Sequence, residues 1–259
     1  MSFTVVIPAR YASTRFPGKP LIDLQGKPMV VRVAERAAKS SATLVVVATD
    51  DQRIADACTR AHVRVAMTRS DHATGTDRLS EVVTQLGLAD DAVVVNVQGD
   101  EPLIPASVID QVAALLQHQP SAAMATFCHP IHDINDVINP NVVKCVLNEA
   151  GEAMYFSRAP IPFARDAWAS GINTMPAGLP MYRHIGLYAY RAAFLRKFPL
   201  LSVPAIERFE VLEQLRALAH GYRIAAAVID APLPPGIDTP EDYQRLFERY
   251  STSGESLFT

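Results

Sequence analysis

The chain has 259 residues, a formal charge of -3 from 24 Lys and Arg against 27 Asp and Glu, and 49% apolar residues. That length buries a substantial core, while the slight acidic excess argues against a nucleic-acid binder, which normally shows a basic surplus. No stretch approaches the ~18 apolar residues of a membrane span, so no membrane insertion is expected. An anionic small substrate stays open, because a few arginines meeting in one cleft suffice locally. MSFTVVIPAR enters a strand directly, without the basic, apolar and small-residue series of a signal peptide. Cys58, Cys128 and Cys145 are odd in number, widely spaced and set in apolar runs, which suits buried thiols of a reducing compartment, the cytoplasm.

In chain order, Thr4 to Pro8 is a short apolar run ending in a loop rich in Arg, Ser, Pro and Gly. From Lys27 to Ser40 the spacing is helical, with Met29, Val30, Val33, Ala34 and Ala37 sharing a face. Leu44 to Ala48 reads as a strand, Gln52 to Ala61 as a helix and Val63 to Met67 as a strand. A helix follows from about Thr76 to Leu86, then a strand from Ala92 to Val97 and a helix from Ala106 to Gln117 behind Pro105. Short apolar strands alternating with helices predict a doubly wound parallel sheet over roughly the first 120 residues. Ligands of such sheets bind beyond the carboxyl ends of the strands. The loops after Ile7, Ala48 and Val97 are therefore the first places to look.

The rhythm changes after Pro120. Ala122 to Phe127 and Val142 to Leu147 read as strands, and Glu149 to Glu152 turns the latter into Ala153 to Ser157, which is hairpin chemistry and makes the sheet mixed. Ala159 to Pro180, loaded with Pro, Gly and Ala, reads as a long excursion of the functional or mobile kind. His184 to Tyr190 is a strand, Ala192 to Lys197 a short helix, and Arg208 to Ala219 a longer helix closed by Gly221. Arg223 to Ile229 is the last strand. Thr239, Pro240 and Asp242 then open the final helix as cap, first-turn proline and first-turn acid. One α/β domain over residues 1–250, with two halves meeting near 120, is the expectation, and residues 251–259 read as a disordered tail.

The loop from Pro8 to Pro20 places Arg10, Arg15 and Lys19 in a short span without an acid. A triphosphate needs several cations and backbone donors converging on it, and arginine's planar fork matches phosphate oxygens. A solvated loop could also carry three cations, but the position after the first strand favours the phosphate reading. There is no G-x-x-x-x-G-K-[ST] and no G-x-G-x-x-G after that strand, which excludes a P-loop ATPase and disfavours a nicotinamide dehydrogenase. In Val95 to Pro102 an apolar strand runs into Gln98, Gly99 and Asp100, and an aspartate there suits Mg²⁺, which takes carboxylates plus substrate phosphate oxygens. Asp238, in a Gly/Pro-rich turn before the last helix, is the candidate partner, although helix capping would explain it alone. His72 to Arg78 forms a small, hydroxyl-rich turn opening a helix, where backbone N–H groups and the Thr74 hydroxyl can meet a base or phosphate.

Together these segments resemble the cytidylyltransferases that activate 3-deoxy-D-manno-octulosonate (Kdo), the CMP-Kdo synthetase family. The resemblance runs in order through IPARYASTRFPGKPL, VATDD, HATGTDR, VNVQGDEP, NPNVVK, YFSRAPIPF, RHIGLYAYR, LEQLRAL and GIDTPED, nearly the whole chain. It implies a mixed, mostly parallel α/β nucleotidyltransferase fold of Rossmann-like type, with helices on both faces and an inserted hairpin and dimerisation lobe. It also implies a homodimer, and the reaction of CTP with Kdo to CMP-Kdo and diphosphate for lipopolysaccharide assembly. On that basis Arg10, Arg15 and Lys19 serve the triphosphate; Thr74, Gly75 and Arg78, with backbone near Pro8 and Ala9, serve the cytidine; Asp100 and Asp238 hold Mg²⁺. Gln98, Arg158, His184, Tyr188, Glu213 and Gln214 would surround the sugar, with Arg158 and His184 as the cations for its carboxylate and the others meeting hydroxyls. Asp100, Asp238, Lys19 and Arg10 form the implied catalytic set. Thr74 stands where the family more often has Ser, and Tyr243 where Leu is commoner. A synthetase for sialic acid, another carboxylated sugar, and a non-catalytic nucleotide sensor on the same fold are the alternatives.

Overall fold

The computed structural model describes residues 2–12, 16–230 and 232–251. The chain divides into two compact units, residues 1–114, 190–199 and 233–259 in one and 115–189 and 200–232 in the other. The first boundary falls after Ala114. The division is not a single cut, however, because two later segments belong to the first unit.

In the first unit, β1 (Phe3–Ala9), β2 (Leu44–Thr49), β3 (Arg64–Met67) and β4 (Val93–Asn96) are parallel, in the order β3-β2-β1-β4. Val5, Val6 and Ile7 on β1 and Val46, Val47 and Ala48 on β2 have no exposed surface, as expected of strands covered on both faces. Helices α1 (Met29–Ala37), α2 (Gln52–Arg60) and α3 (Gly75–Gln85) supply that cover. Helix α1 starts two residues later than its pattern suggests because Pro28 occupies its N-cap. It buries Met29, Val30, Val33, Ala34 and Ala37, the predicted face, together with Val31. Helix α4 (Ala106–His118) follows β4.

The second unit contains β5 (Ala122–Pro130), α5 (Ile134–Ile138), β6 (Lys144–Leu147), β7 (Ala153–Ser157) and most of β8 (Tyr182–Arg191). Strands β6 and β7 form the expected antiparallel hairpin, and β6 also runs antiparallel to β8. After α6 (Ala192–Lys197), which returns to the first unit, come α7 (Ala205–Glu210), α8 (Gln214–Ala219) and β9 (Arg223–Val228), the last parallel to β5. Helix α9 (Pro240–Ser251) ends the described chain in the first unit. Nine strands among the described residues, mostly in parallel pairs with an antiparallel minority, make the mixed α/β fold anticipated. The tail from 252 lies outside the described residues. All three cysteines are buried and free.

Two local departures have physical causes. The excursion from Ala159 to Pro180 is anchored: Trp168, 2% exposed, packs with Ile131, Val137, Val142 and Met181, and its indole N–H donates to the Thr174 carbonyl at 2.8 Å. The single helix expected from Arg208 to Ala219 is instead two short ones, broken at Val211, whose φ of 51° is left-handed. The Arg158 guanidinium donates to the Glu210 carbonyl at 2.6 Å and to the Val211 carbonyl at 3.4 Å. Those carbonyls would receive the N–H groups of Gln214 and Leu215 in a continuous helix. A side chain distant in sequence therefore ends the helix, which periodicity has no means of showing.

Candidate active site

The charged groups of the first unit converge where β1 and β4 end. Gln98 to Glu101 makes a turn closed by the Glu101 N–H on the Gln98 carbonyl at 3.2 Å, and it lies against the end of β1. A Cβ at Gly99 would come within 2.8 Å of the Pro8 carbonyl oxygen, so only glycine admits this approach. The Gly236-Ile237-Asp238 segment docks on the same turn, the Ile237 N–H donating to the Asp100 carbonyl at 2.8 Å. Here too a Cβ at Gly236 would crowd that carbonyl, at 3.1 Å. Asp238 is then fixed from behind. The Asp242 carboxylate accepts from the N–H groups of Asp238 and Thr239 while the Thr239 hydroxyl accepts from the Asp242 N–H, a reciprocal cap for α9.

Lys19 joins the two acids. Its Nζ lies 2.6 Å from Asp100 Oδ2 and 3.0 Å from Asp238 Oδ1, joining residues 81 and 219 positions apart. Burial works to lower the Lys19 pKa, but the charges and hydrogen bonds of Asp100 and Asp238 outweigh it and hold the ammonium above its ordinary range. Burial raises the Asp100 carboxyl against the pull of Lys19. Glu101, absent from the sequence-derived set, is a third acid here. Its Oε2 is buried without a hydrogen-bond partner, and burial, then the charges of Asp100 and Asp238, push its pKa up to about 8. The signal was present in QGDEP, where two consecutive acids precede a proline at a strand end. Among the described residues no group of three or more His, Cys, Asp or Glu is arranged to hold a metal by itself.

Around this centre, Arg10 is half-buried directly after β1, and Gly75 lies against the Pro8 ring, where its Cβ would stand 3.8 Å from Cγ. Ala9, the last residue of β1, is buried. Arg15 lies outside the described residues. Thr74 caps α3: its hydroxyl accepts from the Asp77 N–H, and the Asp77 carboxylate accepts from the Thr74 N–H, both at 3.1 Å. Arg78, expected to face the nucleotide, is wholly buried. It donates to the Thr68 hydroxyl and pairs with Asp50 at 3.2 Å, bracing the ends of β2 and β3.

In the second unit, His184 and Tyr188 pack on one face of β8 with ring centroids 5.2 Å apart, and Phe156 meets the His184 ring edge-on at 5.1 Å. Burial drives the His184 pKa down to about 3, so the ring is neutral. It therefore does not supply the cation that its residue type suggested. Nor does Arg158 present an open guanidinium: besides Glu210 and Val211 it donates to the Pro140 carbonyl at 2.8 Å, while the Glu210 carboxylate accepts from its N–H at 2.9 Å and from the Ser157 hydroxyl at 2.5 Å. Gln214 is buried at the start of α8, and Glu213 stands at its N-cap. Gln98 remains with the first unit.

The model of a cytidylyltransferase family matches residues 4–224. Among solved structures, the chain is similar to a CMP:2-keto-3-deoxy-manno-octonic acid synthetase complexed with CTP, at 38% identity and a TM-score of 0.87, covering 97% of this chain and 99% of that one. It shares its fold with a cytidylyltransferase from Leptospira borgpetersenii serovar Hardjo-bovis at 16% identity and a TM-score of 0.63, over 100% of this chain and 90% of that one. A 4-diphosphocytidyl-2C-methyl-D-erythritol synthase shares it as well, at 14% identity and a TM-score of 0.60, over 95% and 96% of the two chains. With the family model matched over residues 4–224 and 38% identity to a solved synthetase across nearly the whole chain, the chain belongs to the cytidylyltransferase family.

Proposed function

We propose that this enzyme transfers CMP from CTP to Kdo, releasing diphosphate and forming CMP-Kdo for lipopolysaccharide assembly in the cytoplasm. The observation that carries the reading is the convergence of Lys19, Asp100 and Asp238 on one point, in a chain 38% identical to a synthetase for that sugar. The 2-hydroxyl oxygen of Kdo attacks the α-phosphorus, the bond from that phosphorus to the bridging oxygen of the diphosphate breaks, and the hydroxyl proton is released to solvent. Such transfers depend chiefly on positioning and charge neutralisation. Lys19 and Arg10, with Arg15, neutralise the departing diphosphate; the long stem of Lys19 lets its ammonium serve phosphate oxygens beside the same carboxylates.

Mg²⁺ suits this donor set. Asp100 and Asp238 offer hard oxygens within reach of a common cation, and Glu101 adds an unbonded buried oxygen, so the acids outnumber the one ammonium among them. Two carboxylates completed by phosphate oxygens and water is the usual Mg²⁺ arrangement. When bound by Asp100 and Asp238, the ion would acidify the attacking hydroxyl and shield the α-phosphate charge.

A homodimer is proposed on the exposed apolar side chains of the second unit, Leu200, Ile206, Phe209 and Val211, of which Phe209 is 88% exposed. No helix among the described residues is long and apolar enough to cross a membrane. The reading is tested by diphosphate release with each of the four nucleoside triphosphates and with Kdo or sialic acid. Turnover confined to CTP with Kdo is expected. Preference for sialic acid would reassign the sugar, and CTP binding without turnover would make the chain a sensor.

A further inference from the structure

Thr126 lies mid-strand on β5 with no exposed surface, and its hydroxyl oxygen has three close polar neighbours. The Leu187 carbonyl is at 2.8 Å, the Ile185 carbonyl at 2.9 Å and His184 Nε2 at 3.1 Å. A hydroxyl carries one proton and two lone pairs, whereas a carbonyl oxygen only accepts. Were the proton given to Nε2, two carbonyl oxygens would face the hydroxyl lone pairs at under 3 Å with no hydrogen between them. The proton therefore points toward the carbonyls, and the lone pair facing the ring receives a hydrogen carried by Nε2. Phe156 and Tyr188 hold the ring plane, so the tautomer and the orientation are fixed together.

We infer that Thr126 is a positioning residue, which locks His184 as the Nε2–H tautomer and leaves Nδ1 as a hydrogen-bond acceptor for a hydroxyl of the sugar. The inference rests on the proposed reading of His184 as sugar-facing. Among the described residues the ring's hydrogen bond is the one at Nε2, so Nδ1 is available. A bare lone pair suits a hydroxyl donor and repels a carboxylate, so His184 sorts the substrate's hydroxyl end from its acid end. This reverses the cationic role suggested by residue type, and it follows from a threonine fifty-eight positions away, |i−j| = 58.

The test is long-range ¹H–¹⁵N correlation of the histidine rings in the ¹⁵N-labelled full chain, with His184→Gln to assign the signal. It is combined with initial-rate kinetics of wild type, Thr126→Val and Thr126→Ser. Wild type should show the Nε2–H pattern. Thr126→Val should lose it and raise KM for Kdo about 5- to 20-fold, the scale of a buried group losing its partner, with KM for CTP within about twofold. Thr126→Ser, which restores the hydroxyl, should recover both. A wild-type ring protonated on Nδ1 overturns the inference whatever the variants do, as does a Thr126→Val ring with an unchanged pattern. If the ring behaves as expected but neither Thr126→Val nor His184→Gln alters Kdo kinetics, the sugar-facing assignment of His184 has failed, and the positioning role falls with it.

Discussion

Two polar clusters, one in each unit, are built on opposite principles. In the first, formal charges are pressed together: Lys19 bridges Asp100 and Asp238, beside the Glu101 carboxyl, whose pKa is pushed up to about 8. The cluster around His184 in the second is neutral and directional, although that unit also buries Lys144 and the Glu207–Arg216 ion pair. Thr126, His184 and Tyr188 lie among aromatic rings, and the one arginine expected to be open spends its donors on backbone carbonyls. Phosphate chemistry requires countercharge that is already in place. Discriminating one hydroxyl from another requires buried donors and acceptors whose partners cannot be exchanged. Residue type alone does not separate these regimes, because an arginine or histidine becomes a charge or a strut according to what surrounds it.

The sharpest way to break this contrast is to remove a charge from the first unit. Asp100→Ala should leave a folded protein whose turnover falls by two or more orders of magnitude, about 3 kcal/mol or more of barrier. Steady-state diphosphate release over a Mg²⁺ series measures it, and near-normal turnover would remove Asp100 from the essential set. Lys19→Ala comes next. It deletes two charge-assisted hydrogen bonds at once, and kcat/KM for CTP should drop about 10- to 150-fold, or 1.5–3 kcal/mol. Unchanged kinetics would confine Lys19 to steadying the two carboxylates against each other.

How much of this was legible in the sequence follows the same divide. The first unit could be read because each strand is a run of apolar residues ending at a loop of unusual composition, and position after a strand decides what such a loop can do. Even the meeting of Asp100 with Asp238 was anticipated by their two odd turns. Glu101 was visible as a residue but not as a buried one, since burial depends on Gly236 and Gly99 letting three segments touch. The second unit resisted because its key facts are tertiary. Arg158, just past β7, ends a helix 52 positions along the chain. The first unit holds one such case as well, Arg78, which disappears into the core to brace Asp50 and Thr68. No local pattern records which donors a guanidinium has already spent.

A gentler test uses pH. In the fold, burial lowers the His184 pKa from 6.5 to about 3, whereas in the unfolded chain the ring titrates near its ordinary value. Between those values the unfolded chain takes up a proton that the folded chain refuses. This group's contribution is therefore full above about pH 6.5 and is lost as pH falls toward 3, at up to about 1.4 kcal/mol per pH unit. Urea midpoints of wild type and His184→Gln compared at pH 7.5, 6 and 5 isolate it. Parallel curves would mean that the ring is wet and that the neutral character of the His184 cluster is overstated.

The smallest expected effect sharpens the comparison most, because Thr74 stands on the charged side yet works through a neutral group. Its oxygen accepts from the Asp77 N–H, which leaves its own hydrogen free to donate to the nucleotide. Thr74→Ala should cost about 1 kcal/mol of stability through the lost cap and raise KM for CTP about 2- to 10-fold. Thr74→Asp separates the two roles, since a carboxylate caps α3 at least as well but cannot donate and repels phosphate. It should melt like wild type and bind CTP worse than the alanine variant. If Thr74→Asp retains CTP affinity, the hydroxyl hydrogen is unused, and Thr74 serves only to start the helix on which the buried Arg78 is carried.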